Sequence, residues 1–186
     1  MVDGLKQMAN LRSAQANAAA NDSGHKTESM GNTDLDKAIA EFTESLKLNP
    51  NDAAVKRSLA GAYYTRGTAF LSNDNYGKAV EDYDEAVKLE PNYPLAFNKR
   101  GWAHLYNGDY DKSILDFEKV IQFNPNDAQP KQNLAAVYKK RAIEYDKKGD
   151  YVRAIPDFEM VLKFKPDDST TGELLEMAKA ELAKTP

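Results

Sequence analysis

The stretch DKSILDFEKVIQFNPND at residues 111–127 is one of four copies of a single pattern, and this repetition decides the fold. The other copies occupy residues 36–52, 77–92 and 152–168. Each copy places a proline near its end, at Pro50, Pro91, Pro125 and Pro166. Successive prolines lie 41, 34 and 41 residues apart. Repetition at such a period indicates an array of stacked helical units, each too small to bury its own apolar face.

Every copy has the apolar spacing of an amphipathic helix. In residues 111–127 the apolar stripe is Ile114, Phe117 and Ile121, which recur at helical intervals. The proline that follows each stripe ends the helix, because proline cannot continue it. We predict four helices of this kind, named second helices, at residues 34–48, 76–89, 110–123 and 151–164. Asp34 is the predicted N-cap of the first of them.

Partner helices are predicted between the second helices, and we name them first helices. They occupy residues 53–73, 94–107 and 128–148, and each has a small residue on its inner side: Gly67, Gly101 and Ala142. Glycine inside a helix costs about 1 kcal/mol relative to alanine, so we expect a neighbouring helix to approach closely there. An arginine precedes each small residue, at Arg66, Arg100 and Arg141. We expect these arginines to pack their stems in the fold and to hold their charge near an acid.

Short turns join the helices of each pair. Gly108 and Gly149 are predicted to adopt the left-handed conformation that ends a helix. Asp109 and Asp150 follow them and are predicted to cap the next helix.

Residues 34–166 resemble the tetratricopeptide repeat family. The shared pattern is, in order, a small residue, an aromatic residue, a Gly-Asp-Tyr turn, an alanine, an aromatic residue, an alanine and a proline. The resemblance implies an all-α fold, a right-handed superhelical solenoid of antiparallel helix pairs. Two copies are longer by seven residues, inserted before the small residues at 67 and 142. Seven residues turn a helix by about 700°, close to two full turns, so the insertion lengthens the first helix without moving its inner face.

Three regions are predicted. Residues 1–31 form a weak helix, at about 4–20, followed by a loop, or else a tail. Residues 32–166 form the repeat array, which begins with a second helix at 34–48 that lacks a first helix of its own. The weak N-terminal helix could supply that partner; otherwise the chain pairs with another copy or is a fragment. Residues 167–186 form a capping helix and tail, because an array needs a helix with one polar face at its end.

The composition narrows the function. The chain has 186 residues, no cysteine, two histidines and a net charge of −4. An acidic chain without a basic stripe argues against nucleic acid as a partner. No signal peptide or membrane-spanning stretch is present in the sequence, so membrane insertion is not expected and a cytoplasmic location is favoured. His25 and His104 are far apart, and no catalytic or metal-binding motif occurs, so we predict no enzyme, no cofactor and no metal.

The resemblance implies that first helices line a concave groove in which a peptide or helix of a partner protein binds. The residues in the exposed register of those helices are the predicted partner-binding residues: Tyr64, Thr68, Leu71, Asn98, Trp102, Leu105, Lys139 and Ile143. Tyrosine and tryptophan are frequent anchors in protein interfaces. The alternative is that some of these side chains only pack between adjacent helices.

A clamp for a partner's terminal carboxylate is not expected. The family members that have such a clamp resemble one another in its five residues, which are Lys, Asn, Asn, Lys and Arg. At those places this chain has Tyr64, Thr68, Lys99, Ala136 and Lys140, of which only Lys140 is chemically close.

The predicted function is therefore a non-enzymatic scaffold or adaptor for a protein or peptide partner. The alternative is a self-assembling module, in which copies of the chain pair through the N-terminal helices or an open end of the array.

Overall fold

The computed structural model describes residues 32–184, and these residues form helices joined by short turns, with no strand among them. The helices are α1 (Asn32–Leu48), α2 (Ala53–Ser72), α3 (Tyr76–Leu89), α4 (Pro94–Asn107), α5 (Tyr110–Phe123), α6 (Ala128–Lys147), α7 (Tyr151–Phe164) and α8 (Ser169–Leu182). The predicted all-α class is confirmed.

The predicted first and second helices from residue 53 to residue 164 agree with α2–α7 to within one residue at each end. The prediction for α1 was wrong in one respect: Asp34 lies inside the first turn and is not the N-cap, because the helix begins at Asn32. An acid in the first turn still interacts favourably with the helix dipole. The predicted helix at about 4–20 lies outside the described residues.

The chain divides into two compact units, Met1–Ala103 and His104–Pro186. In the first, α1 packs on α2 and α2 on α3, in chain order. Ile39 and Phe42 of α1 are buried against Leu59 and Ala62 of α2. A second buried cluster is formed by Ala79, Tyr83 and Ala103. Consecutive helices joined by turns this short and packed on each other are antiparallel neighbours.

The second unit repeats this arrangement, with α5 on α6, α6 on α7, and α7 on α8. Its core joins Ala142 of α6, Ala154 and Phe158 of α7, and Leu175 and Ala178 of α8. The helix α8 thus covers the apolar side that α7 leaves open.

The turns behave largely as predicted. Gly108 has φ 85° and Gly149 has φ 71°, values in the left-handed region that glycine adopts without strain. Asp150 caps α7 by accepting a hydrogen bond from the backbone N–H of Arg153. Asp109 does not cap α5 through its side chain; its carboxylate accepts a hydrogen bond of 2.9 Å from the Asn107 amide instead.

One arginine in each unit ties three consecutive helices together. In the first unit, Arg66 on α2 donates two hydrogen bonds, of 2.8 and 2.6 Å, to the buried Asp82 carboxylate on α3, and a third of 2.6 Å to Asp36 on α1. Hydrogen bonding to Asp82 raises the pKa of Arg66 above its already high value. Because two planar groups meet in a bidentate pair, the contact fixes orientation as well as distance.

In the second unit Arg141 on α6 makes the same contacts. It donates two hydrogen bonds of 2.7 Å to the buried Asp157 on α7 and pairs with Asp111 on α5. Arg100 on α4 pairs with Asp84 on α3 at 2.7 Å. The expectation that these three arginines hold their charge near an acid is confirmed, because each has a carboxylate partner on a neighbouring helix.

Candidate peptide-binding surface

Three tyrosine rings, which we name the tyrosine cluster, meet in the first unit: Tyr64 on α2, Tyr83 on α3 and Tyr93 in the loop before α4. The Tyr64 ring centroid lies 5.9 Å from that of Tyr83 and 5.2 Å from that of Tyr93. These separations and tilted orientations are typical of favourable aromatic pairs. Tyr83 is fully buried, whereas Tyr64 and Tyr93 are half-buried and keep part of each ring at the surface.

Thr68 holds the cluster in place. Its hydroxyl donates a hydrogen bond of 2.8 Å to the backbone carbonyl of Tyr64, one turn earlier on α2. The same oxygen lies 3.1 Å from the Tyr83 hydroxyl. Since the single proton of Thr68 is used on the carbonyl, the Tyr83 hydroxyl donates to Thr68. The cluster is therefore ordered within the fold.

The tyrosine cluster carries no charge over the physiological range. Burial raises the pKa of Tyr64 and Tyr83, and it raises the pKa of Tyr93 to about 12. Removing a phenol from water penalises its ionised form, so all three groups remain neutral phenols. The parts of Tyr64 and Tyr93 that remain at the surface are therefore uncharged.

Sequence reasoning missed Tyr93, although a signal was present. At the equivalent place in the other three copies the residue is Asp52, Asp127 or Asp168, and each of these aspartates caps the following helix. Tyr93 breaks the repeat at a capping position, and its ring packs on Tyr64. The absence of a capping aspartate at this position was the signal that Tyr93 does something other than cap α4; in the structure its ring packs on Tyr64.

Asn98 and Trp102 on α4 occupy the same places in their repeat as Tyr64 and Thr68 on α2. Both side chains are half-buried, and a spacing of four residues puts them on one side of the helix. Leu71, the third predicted residue on α2, packs against the buried Ala79, Tyr83 and Ala103 cluster. Leu71 therefore contributes to the core of the first unit.

In the second unit the predicted residues are engaged in the fold. Lys139 on α6 binds both carboxylate oxygens of Asp168, at 3.0 and 2.8 Å. Asp168 in turn caps α8 through the backbone N–H of Thr171. Ile143 packs against the buried cluster of α6, α7 and α8. Leu105 is only 4% exposed, so its predicted place in the exposed register was wrong.

The pairs Tyr64–Tyr93 and Lys139–Asp168 are equivalent contacts. In each, a side chain in the middle of a first helix meets the residue 29 positions later, just before the next first helix. The first unit fills this place with two uncharged rings, and the second with an ion pair. Lys139 is thus neutralised by its own chain.

A polar cleft of about 360 Å³ lies in the second unit, between the start of α5 and the end of α6. Its lining includes Tyr110, Asp111, Arg141, Glu144 and Lys148. Tyr110 donates a hydrogen bond to Glu144, and Arg141 pairs with Asp111, so these polar groups satisfy one another within the cleft.

Within residues 32–184 no group of three or more His, Cys, Asp or Glu side chains is placed to hold a metal ion. The helices of this part of the chain are also too short or too polar to cross a membrane.

The repeated helix pairs place the chain in a class, the helical repeat proteins. The family model described as tetratricopeptide repeat matches residues 28–69 and 64–128, together more than half of the chain. The chain therefore belongs to the tetratricopeptide repeat family, and the predicted resemblance is confirmed. Proteins of this family are generally non-enzymatic scaffolds that mediate contacts between proteins.

Several solved structures are similar to this chain. A crystal structure of MamA is 23% identical, with a TM-score of 0.42, over 75% of this chain and 93% of that one. The first tetratricopeptide repeat domain of Spaghetti (RPAP3), bound to the HSP90 peptide SRMEEVD, is 20% identical, with a TM-score of 0.48, over 73% and 94%. The Arabidopsis OM64 domain is 18% identical, with a TM-score of 0.45, over 67% and 98%. These similarities are too low to carry a functional argument. No curated protein matches the chain.

Proposed function

We propose that the chain is a non-enzymatic scaffold that binds a peptide or helix of a partner protein on a surface of its first unit. This surface consists of Tyr64, Thr68, Tyr93, Asn98 and Trp102. Membership of the tetratricopeptide repeat family supports the general role. The tyrosine cluster is the observation that carries the choice of surface.

The tyrosine cluster suits binding because it is ordered before a partner arrives. Tyr64 is held between two other rings, and its helix turn is tied by Thr68. A side chain that is already ordered loses little conformational entropy on association. Trp102 adds a large aromatic surface, and the amide of Asn98 is a group that can both donate to and accept from a peptide backbone.

The partner contacts on this surface are aromatic and neutral. Tyr64 and Thr68 stand where the family's carboxylate clamp has a lysine and an asparagine, and burial keeps the cluster tyrosines un-ionised. In the second unit Lys139 is bound by Asp168, and Lys140 lies over the Tyr106 ring at 5.6 Å. Binding through this surface should therefore depend weakly on ionic strength.

The test begins with peptides selected by the intact chain from a displayed library of random short peptides. Isothermal titration then compares wild type with Trp102→Ala and Asn98→Ala. The matched control is Leu115→Ala, because Leu115 is 64% exposed and lies on the second helix α5. We expect Trp102→Ala to weaken binding at least about tenfold, as truncation of a central aromatic anchor does, and Leu115→Ala to leave it unchanged. Equal affinities for all variants, with helicity retained on circular dichroism, would refute this surface.

A further inference from the structure

Peptide-binding proteins use a small number of recognition modes, and each mode needs particular groups on the receptor. A peptide that adds a strand to a sheet needs an open sheet edge, and residues 32–184 form no strand. An acidic peptide needs a cluster of cations. Arg66, Arg100 and Arg141 are each held by a carboxylate on a neighbouring helix. Lys139 binds both carboxylate oxygens of Asp168. These two modes therefore do not fit the predicted binding residues.

A partner helix is the third mode, and it needs a row of aliphatic side chains into which its apolar face can pack. The predicted binding residues include three aliphatic ones, Leu71, Leu105 and Ile143. Leu71 and Ile143 pack against buried clusters, and Leu105 is only 4% exposed. Leu95 is 59% exposed at the start of α4, but single exposed leucines are common on protein surfaces. The partly exposed residues that remain carry rings, hydroxyl groups and an amide.

The backbone holds Tyr93 in place at the start of α4. Its carbonyl oxygen accepts hydrogen bonds of 3.0 Å from the Ala96 N–H and 3.2 Å from the Phe97 N–H. Pro94 follows as the first residue of the helix, where its fixed φ suits the helical conformation. The ring centroid of Tyr93 lies 5.2 Å from that of Tyr64, and both residues are partly exposed. The two rings therefore form one aromatic surface that is ordered before a partner binds.

The surroundings of this ring pair are uncharged within the described part of the chain. Burial raises the pKa of Tyr64 and of Tyr93, and the further contributions come from Thr68 and from Tyr64, neither of which is charged at neutral pH. Tyr63, the residue before Tyr64 on α2, differs. Burial is the main cause of its raised pKa, and the charge of Glu85 adds to the rise. The ring pair thus presents a neutral surface to a partner, whereas the Tyr63 side of α2 faces charges.

We propose that the partner segment is rich in proline and binds this ring pair in the polyproline II conformation, an inference that rests on the proposed function. Proline has no backbone N–H, so such a segment presents carbonyl acceptors that need donors on the receptor. The phenols of Tyr64 and Tyr93 and the indole of Trp102 carry donors of this kind. Proline-rich segments dock on aromatic surfaces, and a polyproline II helix is already ordered when free, so little entropy is lost on either side.

An acetylated and amidated decaproline peptide is the probe for this assignment. A Gly-Ser peptide of the same length is its uncharged control, because Gly-Ser chains are flexible coils. Trp102 is the single tryptophan of the chain, so its fluorescence reports binding to the intact protein, and isothermal titration measures the affinity. We expect wild type to bind decaproline at least about tenfold more tightly than the Gly-Ser peptide.

Tyr93→Asp is the sharpest variant, because Asp52, Asp127 and Asp168 cap helices at the equivalent places. Circular dichroism should show a retained fold, while the loss of one ring and the added charge should weaken decaproline binding at least about tenfold. Tyr93→Phe keeps the ring and removes the donor, so it should weaken binding about threefold to tenfold. Tyr63→Phe is the matched control on the charged side of α2 and should leave the affinity unchanged.

Equal affinities for the two peptides overturn the proposal. Decaproline binding that neither Tyr93→Asp nor Tyr93→Phe weakens also overturns it, because the peptide then binds elsewhere. The library peptides that test the proposed function separate the two ideas. If these peptides lose affinity in Trp102→Ala but are poor in proline and are not displaced by decaproline, the proline assignment is wrong and the proposed function stands. If no selected peptide depends on Trp102, both are overturned.

Discussion

Gly67 and Gly61 lie on the same helix, α2, and differ only in what surrounds them. A Cβ atom added at Gly67 would lie 3.0 Å from Cε1 and 3.2 Å from Cδ1 of Tyr83, and 3.1 Å from Cβ of Asp82. A Cβ atom added at Gly61 would meet nothing within 4 Å. Alanine at both positions gains the same helix propensity, about 1 kcal/mol. The difference between Gly61→Ala and Gly67→Ala therefore isolates the cost of crowding.

Crowding at Gly67 should exceed the gain in helix propensity. Tyr83 is fully buried and hydrogen-bonded to Thr68, and Asp82 is held by Arg66, so neither neighbour can move freely. Overpacking of this kind costs about 1–3 kcal/mol. We expect Gly67→Ala to change the free energy of unfolding by between about zero and 2 kcal/mol in the destabilising direction, and Gly61→Ala to stabilise by about 1 kcal/mol.

Urea denaturation followed by circular dichroism at 222 nm measures both variants. The second unit suggests a second substitution that should reduce the cost of Gly67→Ala, because Ala142 occupies the place of Gly67 there and is fully buried. In that unit Phe158 and Ile143 occupy the places of Tyr83 and Thr68, and neither side chain has a hydroxyl group. Tyr83→Phe should therefore reduce the penalty of Gly67→Ala. If Gly67→Ala proves as stabilising as Gly61→Ala, the close approach of α2 and α3 is not what requires glycine.

Three further outcomes are expected. Arg141→Met should destabilise the chain by about 3–5 kcal/mol in urea titration because it strands the buried Asp157, and a cost no larger than that of Arg153→Met at the surface would contradict this. Hydrogen bonding from Lys139, followed by that from the Thr171 backbone, lowers the pKa of Asp168 in the folded state. A carboxyl whose pKa is lowered by folding stabilises the fold at pH values above its unfolded pKa of about 4. That stabilisation is lost as the pH falls through its folded pKa. Unfolding free energies of wild type and Lys139→Met should therefore converge on acidification, and a constant difference down to about pH 2 would count against the pair. Phe117→Ala should cost about 3–5 kcal/mol as a core truncation, and a cost below that of Leu115→Ala would place the core elsewhere.

The helices were predictable because their signals are local. Apolar spacing, the prolines after each second helix and the glycines in the turns act within a few residues, so α2–α7 follow from neighbouring sequence alone. The start of α1 was less certain, because Asp34 is equally favourable as an N-cap and within a first turn. The repetition of Arg66 and Arg141 also predicted structural ion pairs, although the sequence did not identify their carboxylate partners.

The sequence by itself determined the class of fold, the family and the rows of residues that first helices share. Only the tertiary structure decided which members of those rows remain at the surface. Leu105 is buried, Lys139 is held by Asp168, and Tyr64 is joined by Tyr93, a residue that no helical spacing connects to it. The reason is physical: helical periodicity fixes a direction around one axis, whereas exposure depends on what neighbouring helices and loops place against that direction.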